Sequence, residues 1–448
     1  MPRETLIVFT RFPLPGSAKT RLIPRLGAEG AAQLQREMTE HVLARLWPLR
    51  RRRPLTLEVR FDGGSRAEMR QWLSRGFDLA PQGNGDLGTR MHRAANDALA
   101  AGAQAVVIVG ADCPDLDAAL VARAFEQLKT HQLVFGPARD GGYYLVGLRS
   151  PMPQLFEGIN WGTDSVLAAS LAKAHERGIR PFLLPELSDV DGPQDLDLWW
   201  NARSANRTLS VIIPALNEAE QLPATLERVG TGSHLDIIVA DGGSHDDTPR
   251  IAESCGTRLV TSPTHRARQM NAAAAIARGE TLLFLHADTL LPTNYCDAVF
   301  TALRRPSVVA GAFRFKIRDP FAGRRLVETT TNLRSRLWRM PYGDQALFVR
   351  RWAFDEAGGF PDSPIMEDYE FVRRVCRLGD LALLDSPVLI SGRRWQRLGL
   401  LRTTAINSLL VLLYHCGVAP AKLAALYRRS CPSPRPTLER PEAEPRAT

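Results

Sequence analysis

Hydrophobic and polar positions alternate along the chain between short apolar runs and longer amphipathic stretches. The short runs include 6–9, 106–109, 210–214 and 282–285, and each is followed by polar or turn-forming residues. Such runs are typical of buried strands, and the amphipathic stretches between them are typical of helices. The alternation predicts an α/β fold with mostly parallel strands.

This alternation occurs twice, and 448 residues are too many for one ordinary core, so we expect two domains. A polar stretch without periodicity, 201–207, predicts a short linker between them. The halves carry different motifs, which argues against a simple sequence repeat. We therefore predict domains at 1–203 and 208–396. A basic and apolar helical extension would follow at 397–430, with a disordered tail at 431–448.

Composition narrows the function classes. A net charge of +9 suits phosphate-bearing ligands or an anionic membrane surface. No zinc-finger or RNA-binding signature is present, so we do not expect nucleic acid as a partner. No apolar run approaches the roughly 20 residues of a membrane span, and the cysteines are widely spaced. These features predict a cytoplasmic protein with reduced thiols. Residues 397–430 would contact the inner face of the membrane or, equally, pack on the catalytic domain or form a dimer interface.

The first half has a candidate phosphate site directly after its first strand. Gly16 and Ser17 permit close approach of backbone N–H groups, and Lys19 and Arg21 add two cations. The segment lacks the Walker A pattern, and a basic surface loop is the alternative interpretation. Asp112 follows the strand at 106–109 and Asp191 lies in a later loop. Carboxylates of this kind, together with substrate phosphates, are the ligands of a divalent cation.

Several motifs occur in order over about residues 4–200: KTRL, GADCPDL, DGGYYL, WGTDSV and DVDGPQDL. This set resembles the rSAM/selenodomain-associated transferase 1 family, which is related to GT-A nucleotide-diphospho-sugar transferases and to small nucleotidyltransferases. The resemblance implies that Lys19 and Arg21 hold phosphates. It also implies that Asp112 and Asp191 hold a metal ion.

The second half is organised around the run 282–285, which delivers Asp288 to the end of a predicted strand. Ligands of open α/β sheets bind at such carboxyl ends, so Asp288 is our candidate anchor for a metal and a diphosphate. Glu218 and Asp241 follow two other predicted strands and are candidates for holding the nucleoside, although the DGGS segment that begins at Asp241 would also form a generic turn. Arg268 lies early in a predicted helix, where it would face the diphosphate or, alternatively, the solvent.

The motifs SVIIPALNE, VADGGSHDDT, FLHADT, GDQALF, MEDYEF and RRW follow in order over about residues 208–396. They resemble glycosyltransferase family 2, in its rSAM/selenodomain-associated transferase 2 branch. The resemblance implies a GT-A fold, a nucleotide-sugar donor and an inverting reaction. One departure is a His-Ala-Asp metal motif with a single carboxylate, and the other is the segment 391–395, which lacks the QxxRW pattern of processive enzymes.

An acceptor hydroxyl needs a base, and Asp368 is our candidate. Glu367 and Asp344 are further candidate catalytic acids, although charge at a helix N-terminus would also explain the acids at 367 and 368. By the same resemblance, three neighbouring residues would close over the diphosphate or the acceptor: Arg393, Arg394 and Trp395.

Together these features predict a bifunctional transferase built from two tandem GT-A-like, Rossmann-like α/β domains. Its cofactor would be Mg²⁺ or Mn²⁺, its donor a nucleotide sugar, and its acceptor a small molecule or a lipid. One alternative is an N-terminal nucleotidyltransferase that supplies an activated substrate to the C-terminal domain. Others are a membrane-surface glycosyltransferase acting on a lipid or carotenoid-type acceptor, and a nucleotide-binding scaffold without turnover.

Overall fold

The computed structural model describes residues 4–73 and 76–430, and it contains two mixed β-sheets, one in each half. The first sheet consists of β1 (Glu4–Arg11), β2 (Leu55–Asp62), β3 (Asp78–Pro81), β4 (Ala105–Gly110), β5 (Leu133–Pro137), β6 (Tyr143–Leu148) and β7 (Phe182–Leu183). The helices of this half are α1 (Ile23–Leu46), α2 (Leu49–Arg52), α3 (Arg66–Leu73), α4 (Leu87–Ala100), α5 (Ala118–Gln127), α6 (Val166–Glu176) and α7 (Leu196–Asn206).

The second sheet consists of β8 (Leu209–Ala215), β9 (Leu235–Asp241), β10 (Arg258–Thr261), β11 (Thr281–Phe284), β12 (Thr289–Leu290), β13 (Val308–Ile317), β14 (Leu347–Arg350) and β15 (Asp380–Ile390). The helices of this half are α8 (Leu222–Val229), α9 (Thr248–Ser254), α10 (Arg266–Ile276), α11 (Tyr295–Leu303), α12 (Arg324–Trp338), α13 (Arg351–Glu356), α14 (Glu367–Val375), α15 (Arg393–Leu398), α16 (Leu400–His415) and α17 (Pro420–Ser430).

The two sheets share one strand order. The first runs β3-β2-β1-β4-β6-β5-β7 and the second runs β10-β9-β8-β11-β14-β13-β15, with β12 added at its edge. In each, the fifth strand is antiparallel to both neighbours, β6 in the first sheet and β14 in the second. The two halves therefore have the same strand arrangement although their motifs differ. A residue at the end of a strand in one sheet can be compared with the residue at the end of the corresponding strand in the other.

Helices cover both faces of each sheet because successive strand residues point to opposite faces. Leu6 and Val8 of β1 lie in one apolar cluster, whereas Ile7 lies in another on the opposite face. In β8, Val211 and Ile212 are divided between two clusters in the same way. The near-continuous apolar runs seen in the sequence are strands buried on both sides.

The predicted linker at 201–207 is wrong, because most of this stretch continues α7. The helix is anchored upstream of the polar stretch. Leu196 and Trp199 are buried in a cluster that includes Leu34 of α1, so the polar residues form the outer end of a docked helix. The second sheet begins only three residues after α7 ends.

The two halves pack against each other. The indole Nε1 of Trp47 donates to the carbonyl oxygen of Leu378 at 3.1 Å, and Trp47 joins an apolar cluster formed mainly by the second half. Nearby, Arg304 Nε donates to the Glu40 carboxylate at 3.0 Å. Both apolar and ionic contacts thus hold the interface.

The extension predicted at 397–430 forms helices that pack on the second half. The Tyr369 hydroxyl and His415 Nε2 are 2.6 Å apart, and the Tyr414 hydroxyl donates to the Glu370 carboxylate at 3.2 Å. Through these contacts α16 lies against α14. The tail predicted to be disordered, 431–448, lies outside the described residues. Within the described part of the chain, no helix has both the length and the apolar character needed to cross a membrane.

Candidate active sites

Three parallel neighbours in the second sheet, β9, β8 and β11, deliver polar residues to one edge. Glu218 follows β8, Asp241 ends β9 and Asp288 lies four residues after β11. Carboxyl ends of parallel strands share an edge of the sheet, which explains why residues far apart in sequence lie near each other here.

Glu218, Asp288 and Arg393 form one cluster. The Arg393 guanidinium nitrogen Nη2 lies 3.2 Å from Asp288 Oδ2 and 3.6 Å from Glu218 Oε2. Burial, and then the charge of Asp288, raise the pKa of Glu218, and Arg393 opposes that shift. The structure thus brings together three residues that the sequence predicts for one site. The paired carboxylate oxygens and their mutual repulsion fit a divalent cation, which would offset the same negative charge.

Asp241 is buried, and its own turn holds it. Its carboxylate accepts the backbone N–H groups of Gly243 at 2.9 Å and Ser244 at 3.1 Å. The neighbouring loop is tied to this turn through Asn217, which has a φ of 54° and whose side-chain oxygen accepts the His245 N–H at 2.9 Å. The predicted nucleoside contact of Asp241 would therefore come from a preformed turn.

Asp368 lies in the first turn of α14 and reaches back to a neighbouring loop. Its Oδ2 accepts the Gly343 N–H at 2.7 Å. A Cβ added at Gly343 would lie 3.3 Å from Asp368 Oδ2 and 3.4 Å from His286 Nε2. Both side chains therefore pack closely against this glycine. Burial, and then the charge of Arg266, lower the pKa of His286 well below its ordinary value, so the imidazole is neutral.

The other two candidate acids lie close to Asp368. Glu367 lines the same small pocket as Asp368 and Phe360, and its pKa is raised by burial and then by the charge of Asp368, whereas Arg266 opposes the shift. Asp344 follows Gly343 and lies near the phenol of Tyr342. Burial is the main cause of the raised pKa of Tyr342, and the charges of Asp368 and Asp344 add to it.

Two predicted donor-site residues are placed differently from the expectation. Arg268 makes a two-pronged ion pair with Asp362, at 2.9 and 2.8 Å, instead of joining the Arg393 cluster. The Trp395 ring stacks on Phe321 with centroids 6.4 Å apart, as part of the core. Residues two apart on a helix face different directions, which explains why Arg393 and Trp395 of α15 diverge. The Arg394 side chain lies outside the described part of the structure.

The first half has its own cleft at the equivalent edge, with a volume of about 700 Å³. Lys19 lies in this cleft, and its ammonium group makes three hydrogen bonds. The Nζ donates to Asp112 Oδ2 at 3.2 Å, to the Val190 carbonyl oxygen at 2.6 Å and to Asp191 Oδ1 at 2.9 Å. These three bonds use all the donors of an ammonium group. Lys19 therefore bridges the two predicted metal ligands in this structure, instead of presenting its charge to a phosphate.

Arg21 is more exposed and lies 3.7 Å from Asp191. The opposing charge of Lys19 lowers the pKa of Asp191 although burial acts in the other direction. Oxygen atoms of Asp140, Asp189 and Asp191 all lie within 4.8 Å of one another, a spacing that fits one divalent cation. Burial, and then the neighbouring carboxylates, raise the pKa of Asp189 to about 6.

The sequence prediction missed Asp140 and Asp189 as possible ligands, although both lie in the motifs DGGYYL and DVDGPQDL. It also missed Asp62, which ends β2 and lines the cleft. Asp62 occupies the position in the first sheet that Asp241 occupies in the second, so the shared strand order is the signal that finds it.

Family comparisons agree with this division of the chain. Residues 46–163 match the family described as "Uncharacterized protein conserved in bacteria (DUF2064)". Residues 210–360 match the family "Glycosyl transferase family 2". The C-terminal half thus contains a region similar to glycosyl transferase family 2, as the sequence resemblance implies. The two tandem α/β domains expected from the sequence are confirmed by the two sheets.

Individual relatives cover parts of the chain. A PGL/p-HBAD biosynthesis glycosyltransferase of Mycobacterium bovis (strain BCG / Pasteur 1173P2) is 30% identical over 170 residues, which are 34% of this chain. The match spans 62% of the length of that relative. A candidate nucleotide-diphospho-sugar transferase from Desulfovibrio desulfuricans G20 is 33% identical, with 45% of this chain and 88% of that chain covered and a TM-score of 0.43.

Glucosyl-3-phosphoglycerate synthase from Mycobacterium tuberculosis, in complex with Mn²⁺, UDP and glucosyl-3-phosphoglycerate, is a further structural neighbour. It is 19% identical, with 52% of this chain and 84% of that chain covered and a TM-score of 0.36.

Proposed function

We propose that the C-terminal domain transfers a sugar from a nucleotide-sugar donor to an acceptor hydroxyl by an inverting, metal-dependent mechanism. The observation that carries the proposal is the convergence of Glu218, Asp288 and Arg393 at the carboxyl edge of the sheet. An acid pair with one cation between its members is suited to the phosphates of a nucleotide and the metal ion that accompanies them.

Each residue of this site has a role that follows from its contacts. Asp241 and Glu218 would hold the nucleoside. Arg393 would bind the diphosphate, because its guanidinium is half exposed and can exchange a carboxylate for a phosphate. A divalent cation bound at Asp288 would stabilise the negative charge that develops on the leaving nucleoside diphosphate.

Asp368 would remove the proton from the acceptor hydroxyl as that oxygen attacks the sugar carbon. The Gly343 N–H orients one carboxylate oxygen, and the other accepts the Tyr369 N–H at 2.7 Å. Asp344 would contact the acceptor. Glu367 lines the same small pocket as Asp368 and is the alternative base. The acceptor would be a small molecule. For an enzyme that acts at a membrane surface, the acceptor would be a lipid.

The N-terminal domain is, in this proposal, a nucleotide-dependent transferase. The roughly 700 Å³ cleft has the size of small-molecule sites, and the three clustered aspartates could hold a cation. Its ligand preference distinguishes a glycosyltransferase from a nucleotidyltransferase. A nucleotidyltransferase that supplies the C-terminal domain would prefer a nucleoside triphosphate.

The test is a thermal-shift series on the full chain with nucleoside diphosphates, triphosphates and sugar nucleotides, each with Mn²⁺ and with EDTA. A ligand that binds only the folded protein raises its melting temperature. We expect metal-dependent stabilisation by one nucleoside diphosphate, lost in Asp288→Asn and kept in Asp297→Asn. Asp297 is a suitable control because its side chain is 85% exposed. Stabilisation that persists in Asp288→Asn would contradict the assigned site.

A further inference from the structure

A cleft of about 490 Å³ lies between the two halves, away from both candidate active sites. Helices α1 and α7 of the first half and helices α11 and α13 of the second contribute to its walls. On the second half it reaches Thr281 and Arg350, which pair with each other at the start of β11. Asp288 follows the opposite end of β11, so the cleft and the candidate donor site lie at opposite edges of the sheet.

One wall carries a half-buried arginine, Arg350, without a carboxylate partner. Arg350 Nε donates to the Val308 carbonyl oxygen at 2.9 Å, and an Nη donates to the carbonyl oxygen of Leu303. None of the ion pairs among the described residues includes Arg350. Burial lowers the pKa of Arg350 to about 10, and its charge contributes to the low pKa of His41 on the other half. A largely desolvated charge without an opposite charge beside it is costly, and an anion in the cleft would compensate it.

The acids of the cleft do not supply that compensation. Arg304 engages Glu40 at 3.0 Å and Glu37 at 3.5 Å, while Asp117 lies 3.7 Å from Arg45. Glu280 is exposed, so water screens its charge. The positive charge of Arg350 therefore remains uncompensated within the described part of the chain.

Two indole donors also line the cleft. The Nε1 groups of Trp199 and Trp352 are buried, and neither has a hydrogen-bond partner among the described residues. The Trp199 side chain is only 2% exposed. Buried donors without partners are rare in folded proteins. An indole N–H can only donate, so the missing partner must be an acceptor, such as the oxygen of an anion.

We propose that this interdomain cleft binds a small phosphate-bearing molecule, whose oxygens accept from Arg350 and from the indoles of Trp199 and Trp352. The cleft is large enough for a phosphomonoester of a small metabolite. Because both halves contribute donors, the ligand would bind only when they are docked, and it would stabilise their interface. This inference does not depend on the proposed transferase reaction.

Isothermal titration calorimetry on the full chain tests the proposal, with inorganic phosphate and glycerol 3-phosphate as probes and NaCl at matched ionic strength. Losing one hydrogen bond to a charged ligand should weaken binding by about 10–100-fold, so we expect this loss in Trp199→Phe and in Trp352→Phe. Trp200→Phe is the matched control, because Trp200 neighbours Trp199 but does not line this cleft. Arg350→Met should lose binding as well, and the two Phe variants decide the matter if Arg350→Met fails to fold.

The outcomes separate this cleft from the nucleotide sites, which could also bind phosphate. Binding that survives in Arg21→Met and Arg393→Met but falls in the two Phe variants supports the proposal. Tighter binding of glycerol 3-phosphate would identify a phosphomonoester site, and equal or tighter binding of phosphate would identify a site for the free ion. Absence of binding by both probes, or binding unchanged in Trp199→Phe and Trp352→Phe, would overturn the proposal.

Discussion

Lys19 is expected to stabilise the first half by holding two carboxylates together. Its side chain is 10% exposed, whereas those of Asp112 and Asp191 are 38% and 42% exposed. Lys19→Met removes the ammonium group and leaves two neighbouring negative charges. Breaking a buried ion pair costs about 3–5 kcal/mol, but here water can partly solvate the carboxylates, so we expect a loss of ~2–3 kcal/mol.

A loss of this size should lower the melting temperature of a domain of this length by roughly 4–12 °C. Differential scanning calorimetry at pH 7 measures the shift, and hydrogen exchange in α1 and β4 assigns it to the first half. Arg21→Met is the matched control, because Arg21 is 72% exposed and lies 3.7 Å from the same Asp191. Its loss should cost at most about 1 kcal/mol.

The difference in stability between wild type and Lys19→Met should depend on pH because of Asp191. Its folded-state pKa is depressed, so the stabilisation is present above the unfolded pKa of about 3.9 and is lost as the pH falls through the folded value. The gap between wild type and Lys19→Met should thus stay constant from pH 7 to 5 and narrow only below about pH 4. Equal stability of Lys19→Met and Arg21→Met at pH 7 would refute the reasoning.

Three further predictions concern the base, the extension and the interface. Asp368→Asn should reduce turnover by about 10²–10⁴-fold while the amide still accepts the Gly343 N–H, so steady-state kinetics should change and the melting temperature should not. Tyr369→Phe removes the 2.6 Å contact with His415, and hydrogen exchange in α16 should become faster if that contact holds the helix. Burial lowers the pKa of His41 to about 4, so stability should rise with pH between about 4 and 6.5; the slope should flatten in His41→Gln, as followed by urea unfolding at pH 5 and 7.

The sequence predicted those parts of the fold and site that depend on local patterns. Apolar runs located β1, β4, β8 and β11, and the polar residues after them placed Glu218 and Asp288 at one sheet edge. A strand followed by a carboxylate involves only a few consecutive residues, so it can be recognised from the sequence without knowledge of tertiary contacts.

Other features depend on contacts between distant residues. Lys19 meets Asp112 and Asp191 across 93 and 172 positions, and no local pattern shows that these acids would take a lysine. The RRW motif implies that Trp395 contacts the ligand, but its ring stacks on Phe321, which lies 74 positions away in the sequence. The shared strand order of the halves is likewise invisible in their motifs.

The shared strand order makes one comparison between the halves informative. In each half a basic side chain lies between two carboxylates at the carboxyl edge of the sheet: Lys19 between Asp112 and Asp191, and Arg393 between Glu218 and Asp288. Lys19 is 10% exposed and uses every donor, whereas the Arg393 side chain is 50% exposed.

Arg393 has donors left for a phosphate, since a guanidinium carries five N–H groups. It can therefore bind a diphosphate while one carboxylate passes to a cation. Lys19 has no free donor, so it could bind a phosphate only by breaking one of its three hydrogen bonds in a buried site. Phosphate contacts in the first half should therefore come from exposed Arg21 instead. We accordingly expect Arg21→Met to weaken nucleotide binding in the first half with little loss of stability. If nucleotide binding in Arg21→Met equals that of the wild type, then Lys19 must leave its carboxylates when the ligand enters.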